Sequence, residues 1–311
     1  MKKLTYMVSA IAAAVGFSTA ANADISVSGS ADFAYVDAGG NTTSMNGGGV
    51  SFALSTTTDA GVSISASAGI SNDNDSDGDD STATGLTKLT FGFANGTLAV
   101  GDSVGIADGV GKVGELVSWA DTNGVAITYE GSVGDDEGSG VSGSTTVGDM
   151  TIAAAYIWDG DSAGNVDGAT KTGSSIKLTM PLGAMSLTAA ASQAENGTTT
   201  MNDNGVSITY AVGGGTLGLG ANVTSGDTAA DEADSFGITY STTVGGASVA
   251  FGYQGHDGSN KNAQTTDVTI SSSLGGGASI WAEMRSTSGE RAAETATTSD
   301  TVVAVGTSVS F

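Results

Sequence analysis

The sequence predicts an all-β fold, a transmembrane antiparallel β-barrel of 16 strands with short turns at one end and long loops at the other. Three observations carry this. Apolar residues recur at every second position through most of the chain, the period of a strand with one apolar and one polar face. Tight glycine turns alternate with long polar or acidic connections. The composition pairs 49 glycines with one proline and no cysteine in 311 residues. Val, Ile and Thr are abundant, which separates the chain from glycine-rich disorder and from disulfide-stapled secreted folds.

The first 23 residues, MKKLTYMVSAIAAAVGFSTAANA, form the first element. Two lysines, an apolar run and Ala21-Asn22-Ala23 fit a cleaved secretory signal over 1–23, and the apolar run is short for a spanning helix. Residues 24–311 read as one barrel domain of 288 residues (311 − 23). It holds 33 acids against 7 bases (9 − 2), a formal charge of −26. That charge argues against nucleic acid as a partner, since phosphate binding needs clustered Lys and Arg. It also disfavours adhesion to anionic lipid surfaces.

The strands are expected at about 25–36, 49–57, 62–70, 85–94, 96–102, 140–147, 150–158, 173–180, 184–192, 205–212, 216–224, 235–242, 246–254, 265–273, 277–286 and 300–311. The last sets the pattern: Val303, Val305, Thr307, Val309 and Phe311 alternate with Ala304, Gly306, Ser308 and Ser310. Val206-Ile208-Tyr210-Val212, Leu217-Leu219-Ala221-Val223, Phe236-Ile238-Tyr240 and Val249-Phe251-Tyr253 repeat it. Each strand is near the roughly 9–11 residues that cross a bilayer at a tilt, and no uncharged apolar stretch reaches the roughly 20 a spanning helix needs. Strand 140–147 has a competitor in Val125–Tyr129.

Short turns at Pro181-Leu182-Gly183, Gly213-Gly214-Gly215, Gly245-Gly246 and Gly275-Gly276 alternate with loops near 159–172, 193–204, 225–234, 255–264 and 287–299. That asymmetry is the mark of a membrane barrel. The aromatics at strand ends, Tyr156, Trp158, Tyr210, Tyr240, Tyr253 and Phe311, suit girdles at the two interfaces. The opposite face is Ser, Thr, Gly and Asn, suited to a wet lumen, and no strand places charge on its apolar face.

With these features in place, the chain resembles the general diffusion porins of Gram-negative bacteria, most closely the alphaproteobacterial type. The resemblance rests on the terminal Phe311, the hairpin Leu89-Thr90-Phe91-Gly92-Phe93-Ala94-Asn95-Gly96-Thr97-Leu98-Ala99-Val100-Gly101-Asp102, and Gly275-Gly276-Gly277-Ala278-Ser279-Ile280, and it covers 24–311. It implies a homotrimer in the outer membrane, surrounded by outer-membrane lipid, with the third loop folded into the lumen. It also implies that Phe311 is read by the barrel assembly machinery. The function expected is a water-filled channel for passive diffusion of small hydrophilic solutes and ions, with no catalysis and no cofactor required.

The third loop, about 103–139, is the longest connection, and long loops in compact domains are usually functional. It holds Asp108, Glu115, Asp121, Glu130, Asp135, Asp136 and Glu137 against one base, Lys112. The resemblance sets these carboxylates at the pore constriction. By alternation Lys88, Lys177 and Arg285 point inward from the wall, with Glu283 beside Arg285. Carboxylates with little counter-charge favour cations, so a cation preference is expected.

The segment NDNDSDGDDS at 72–81 is the second long loop. Its Asp73-Asn74-Asp75-Ser76-Asp77-Gly78 matches the first half of an EF-hand, but the twelfth position is Thr84 instead of Glu and no helices flank it, so the EF-hand reading fails; Asp73, Asp75, Asp77 and Asp79 are the candidate calcium ligands. Calcium at this rim stays an expectation, beside a simply solvated acidic loop. Catalysis has little footing: His256 is the one histidine, placed on an expected loop, with no GxSxG or HExxH. The rival reading is a secreted calcium-dependent surface or adhesion protein, which leaves the turn–loop alternation unexplained and lacks calcium-binding nonapeptide repeats.

Overall fold

The computed structural model describes residues 24–38, 41–74, 82–84, 86, 88–102, 104–106, 110, 116, 139–160, 171–196, 199–227, 232–258, 261–290 and 297–311. Every regular element among them is a strand: β1 (Asp24–Ala38), β2 (Asn41–Thr57), β3 (Ser63–Asn74), β4 (Thr82–Thr84), β5 (Lys88–Phe93), β6 (Gly96–Gly101), β7 (Ser139–Val147), β8 (Met150–Gly160), β9 (Lys171–Leu182), β10 (Met185–Asn196), β11 (Thr199–Val212), β12 (Gly215–Gly226), β13 (Ala233–Val244), β14 (Ala247–Gly258), β15 (Lys261–Gly275), β16 (Ala278–Glu290) and β17 (Thr297–Ser310). Both β4 and β5 lie against β3, one at Gly69↔Thr84 and the other at Ser63↔Gly92, so they are two pieces of one stave. The described residues therefore build 16 staves. Each pairs antiparallel with its neighbour, and β17 returns to β1 from Ser30↔Ser310 to Ala38↔Val302, which closes the ring.

Alternation decides what each face meets. Ile25, Val27, Phe33 and Tyr35 of β1, Phe236 and Ile238 of β13, and Val303, Val305 and Val309 of β17 are exposed on one continuous outer face. In water such a surface would drive association; against lipid it is solvated. On β13 the outer apolar positions run from Phe236 to Val244, which at roughly 3.3 Å per residue and a tilt near 40° is roughly 20 Å of membrane normal. Aromatic pairs mark the loop-side edge: the rings of Tyr156 and Trp158 stand 6.5 Å apart, and those of Phe236 and Tyr253 6.0 Å apart.

At the turn end the structure follows the expected boundaries to within two residues. The reason is glycine. Gly213 and Gly214 have φ of 60° and 78°, and Gly245 and Gly246 have 61° and 89°, the paired positive values that a two-residue type I′ turn demands. At the loop end the strands run further than expected. The supposed loops at 193–204 and 255–264 are mostly strand: β10 continues to Asn196 before β11 starts at Thr199, and β14 continues to Gly258 before β15 starts at Lys261. There the ladder persists into water after the lipid has ended, so apolar alternation stops while pairing does not. Gln193 Nε2 donates to Asn202 Oδ1 at 3.2 Å across such a polar extension. The same extensions carry exposed Asp37, Asp234 and Asp257 on the outward face, which corrects the expectation of a charge-free face; these acids lie on the loop side of the apolar band. Strand 139–147 is present, and its competitor 125–129 lies outside the described residues.

Gly214 offers a direct check, because no heavy atom lies within 4 Å of where its Cβ would stand. Gly214→Val will cost about 1–2 kcal/mol through φ alone, whereas Gly214→Asn, which tolerates this region, will cost much less. Urea unfolding of the lipid-embedded barrel reads both; equal losses would contradict the turn assignment.

Candidate channel lumen and the third loop

The inner face changes character along the barrel axis. Near the turns it presents exposed hydroxyls, among them Ser26, Ser28 and Ser30 of β1, Thr146 of β7, Ser248 of β14 and Ser310 of β17. Toward the loops the inward polar residues become buried: Asp203, Asn222 and Thr224, Ser235, His256, Thr265 and Asp267, Arg285 and Thr287. A barrel wall facing open water would leave them exposed, so their burial marks the level at which the lumen is occupied.

The described part of the third loop accounts for an occupant. The loop leaves the wall after Asp102 and returns at Ser139, and Ser139 Oγ donates to Asp102 Oδ1 at 2.5 Å, tying the two ends. Val104 lies against Gly140, where a Cβ would stand 2.5 Å from the Tyr156 carbonyl oxygen and 2.6 Å from Val104 Cγ2; only glycine leaves room. Val104 and Val110 are both buried. Leu116 then donates its backbone N–H to Asp267 Oδ2 on β15 at 3.0 Å. No described residue between 102 and 139 is helical.

Asp267 is itself paired. Arg285, directly opposite on β16, donates from Nε to Asp267 Oδ1 at 3.1 Å and from Nη2 to Oδ2 at 3.5 Å. Asp267 is 0% and Arg285 1% exposed. A carboxylate out of water is tolerable only with its charge balanced and its oxygens bonded. Here the guanidinium supplies the first and, with Leu116, the second. A second polar cluster lies on β11 and β12, where Thr224 Oγ1 is 3.3 Å from Asp203 Oδ1 and 3.4 Å from Asn222 Oδ1.

The expected site residues are distributed unevenly. Lys88 heads β5 opposite Gly101, and Lys177 lies on β9 between Ala153 and Ala190; both are inward and half-buried. Glu283 is inward and half-buried opposite Thr269 and Ala304. Arg285 is inward but buried, and its ion-pair partner across the strands is Asp267, a residue that sequence reasoning missed. Counting nine residues each way from Gly276 brings the two together, so the hairpin register held the signal. His256, expected on a loop, is a buried inward residue of β14 opposite Ser235. Asp108, Glu115, Asp121, Glu130, Asp135, Asp136 and Glu137 lie outside the described residues, as do Asp75, Asp77 and Asp79; Asp73 stands in β3 opposite Gly47. Among the described residues no group of three or more His, Cys, Asp or Glu could hold a metal ion. Phe311 exchanges backbone hydrogen bonds with Gly29 at 3.0 Å each way, and its ring covers that glycine.

A closed barrel with an apolar exterior, a hydroxyl-lined interior and a loop reaching across its lumen defines the class of membrane channel barrels. A sequence model of the Gram-negative porins matches residues 10–307, and the chain belongs to that family. Family and fold thus support an outer-membrane channel for passive diffusion and point to a channel rather than an enzyme. Among curated proteins no sequence match was found. Solved structures with the same fold include the anion-selective porin of Comamonas acidovorans (16% identity, TM-score 0.70, covering 93% of this chain and 100% of that one). A variant of Rhodopseudomonas blastica porin also matches (16%, 0.67, 93% and 100%). So does OmpT of Vibrio cholerae lacking its loop L8 (13%, 0.71, 93% and 99%).

The buried pair gives a stability test. Arg285→Met strands the Asp267 charge and will cost about 3–5 kcal/mol, while Arg285→Met combined with Asp267→Leu will recover most of it. Urea midpoints of the three proteins check this; a double variant no better than the single would contradict it.

Proposed function

We propose that this porin passes small hydrophilic solutes and prefers cations over anions. The observation that carries the first part is the lumen wall itself, open and hydroxyl-lined on the turn side and narrowed where Leu116 meets Asp267. Support for the second part is the charge of 33 acids against 7 bases beyond residue 23. The wall does little to offset it: the positive charge of Arg285 is spent on Asp267, and Lys88 and Lys177 are half-buried. Excess carboxylates in a low-dielectric passage raise the local cation concentration. The Comamonas porin is anion-selective on the same fold, so the sign belongs to the side chains of each barrel and not to the architecture.

The cleaved signal over 1–23, the homotrimer and the role of Phe311 in assembly belong to the same reading. Mass determination of the mature outer-membrane protein in detergent tests the first two: an N-terminus at Asp24 and a mass three times the monomer are expected.

Ion selectivity is tested in planar bilayers under a KCl gradient. The reversal potential will have the cation-selective sign and will shrink as salt rises from about 0.1 M to about 1 M, because the screening length falls from roughly 10 Å to roughly 3 Å. A potential of the anion-selective sign would overturn the proposal. Release from membranes by chelator or salt, without detergent, would favour the surface-protein reading in its place.

A further inference from the structure

Strand parity sends the aromatic residues of β1, β8, β11, β13 and β14 outward, toward lipid. Trp281 of β16 is an exception: it shares the inward row of Glu283 and Arg285, on the turn side of the barrel. Its indole reaches across to β17, where Nε1 donates to Ser308 Oγ at 3.1 Å. The ring fills the space above Gly306, at which a Cβ would run into Trp281 Cζ2 and Cε2 and into the carbonyl oxygen of Phe33. That contact takes one side of the ring. Trp281 is only half-buried, so the other side meets the water of the lumen. Two carboxylates stand beside it. Glu283 is two positions loopward on the same face, roughly 7 Å along the strand. Asp32 of β1 is the cross-strand neighbour of Ser308, and it too is inward and half-buried. The bases on β15, β16, β17 and β1 are Lys261, at the loop end, and Arg285, which is buried against Asp267.

We propose that Trp281, Glu283 and Asp32 form a subsite on the lumen wall for a small organic cation carrying a quaternary ammonium group. The proposal rests on the channel reading and names a class of solute that the channel retains on its way through. An indole face attracts a cation through its ring quadrupole, and Trp does so better than Tyr or Phe. Carboxylates on two sides of the ring raise the local concentration of cations over neutral solutes. The acids alone would not tell an organic cation from potassium; the ring supplies that difference, because the apolar shell of a quaternary ammonium lies against it without giving up a tight hydration shell. Covering a glycine is a structural use of an aromatic ring, and Trp281 serves that use as well. Covering Gly306 needs neither a half-open ring nor an indole N–H that must find Ser308, since Phe or Leu would fill the same gap. It also gives no reason for two acids to flank the ring from different strands.

Choline is the probe, and 3,3-dimethyl-1-butanol, in which carbon replaces the quaternary nitrogen, is its neutral match. In single-channel recordings in KCl, choline will reduce the parent current in a saturable way and the alcohol will leave it unchanged. Trp281→Leu keeps an apolar side chain over Gly306 and removes the π face; it will raise the half-blocking choline concentration by about tenfold, and Trp281→Phe will raise it less. Asp32→Asn with Glu283→Gln will weaken the block by a similar factor. Parent-like KCl conductance in each variant shows that it has folded. Calorimetric titration of the detergent-solubilised barrel with choline reads the same contrasts without a current. If neither current nor calorimetry shows saturable choline binding to the parent, the subsite is refuted. It is also refuted if the neutral alcohol binds as well as choline, or if a folded Trp281→Leu barrel keeps the parent affinity. A parent that inserts and passes no current refutes the channel reading instead, and calorimetry then decides the subsite by itself.

Discussion

Everything in this molecule depends on satisfying the peptide backbone in hydrocarbon. Lipid offers no partner for an N–H or C=O, so a spanning sheet must have no edge. The β1–β17 ladder supplies the missing pairing, and Phe311 extends it by one more exchange with Gly29. Closure then fixes the rest. Each residue of a stave faces either lipid or lumen, and a period of two divides the chain into an apolar skin and a mainly polar lining, with buried Val36, Ile157 and Val302 on the inner face.

The third loop meets this lining inside the barrel at Leu116. Its path is written by a few contacts: a tied base at Asp102 and Ser139, a glycine at 140 that admits Val104, and a distant carboxylate at 267. Each solves a local problem, respectively a loop's entropic spread, a steric approach and a buried charge. Together they bring the third loop, at Leu116, onto the lumen-facing side of β15.

Much of this was legible in the sequence. All 16 staves could be placed because lipid imposes alternation and glycine imposes turns; the turn ends were sharp for the same reason. The loop ends were not, since beyond the membrane both faces of β10, β11, β14 and β15 are polar and a hydrogen-bonded ladder leaves no trace in hydropathy. His256 was misplaced on a loop by that error. The inward direction of Arg285 followed from parity, but its partner did not, because Glu283 is its neighbour in sequence and Asp267 only in register. The crossing to Leu116 was not legible as a contact: a backbone donor has no side-chain signature.

The most direct test of the account is liposome swelling with a series of neutral sugars of increasing size. A water-filled lumen narrowed at one level predicts fast entry of the smallest sugars and a steep fall in rate as size approaches the aperture. Entry that does not depend on size, or no entry from fully folded and inserted protein, would contradict it.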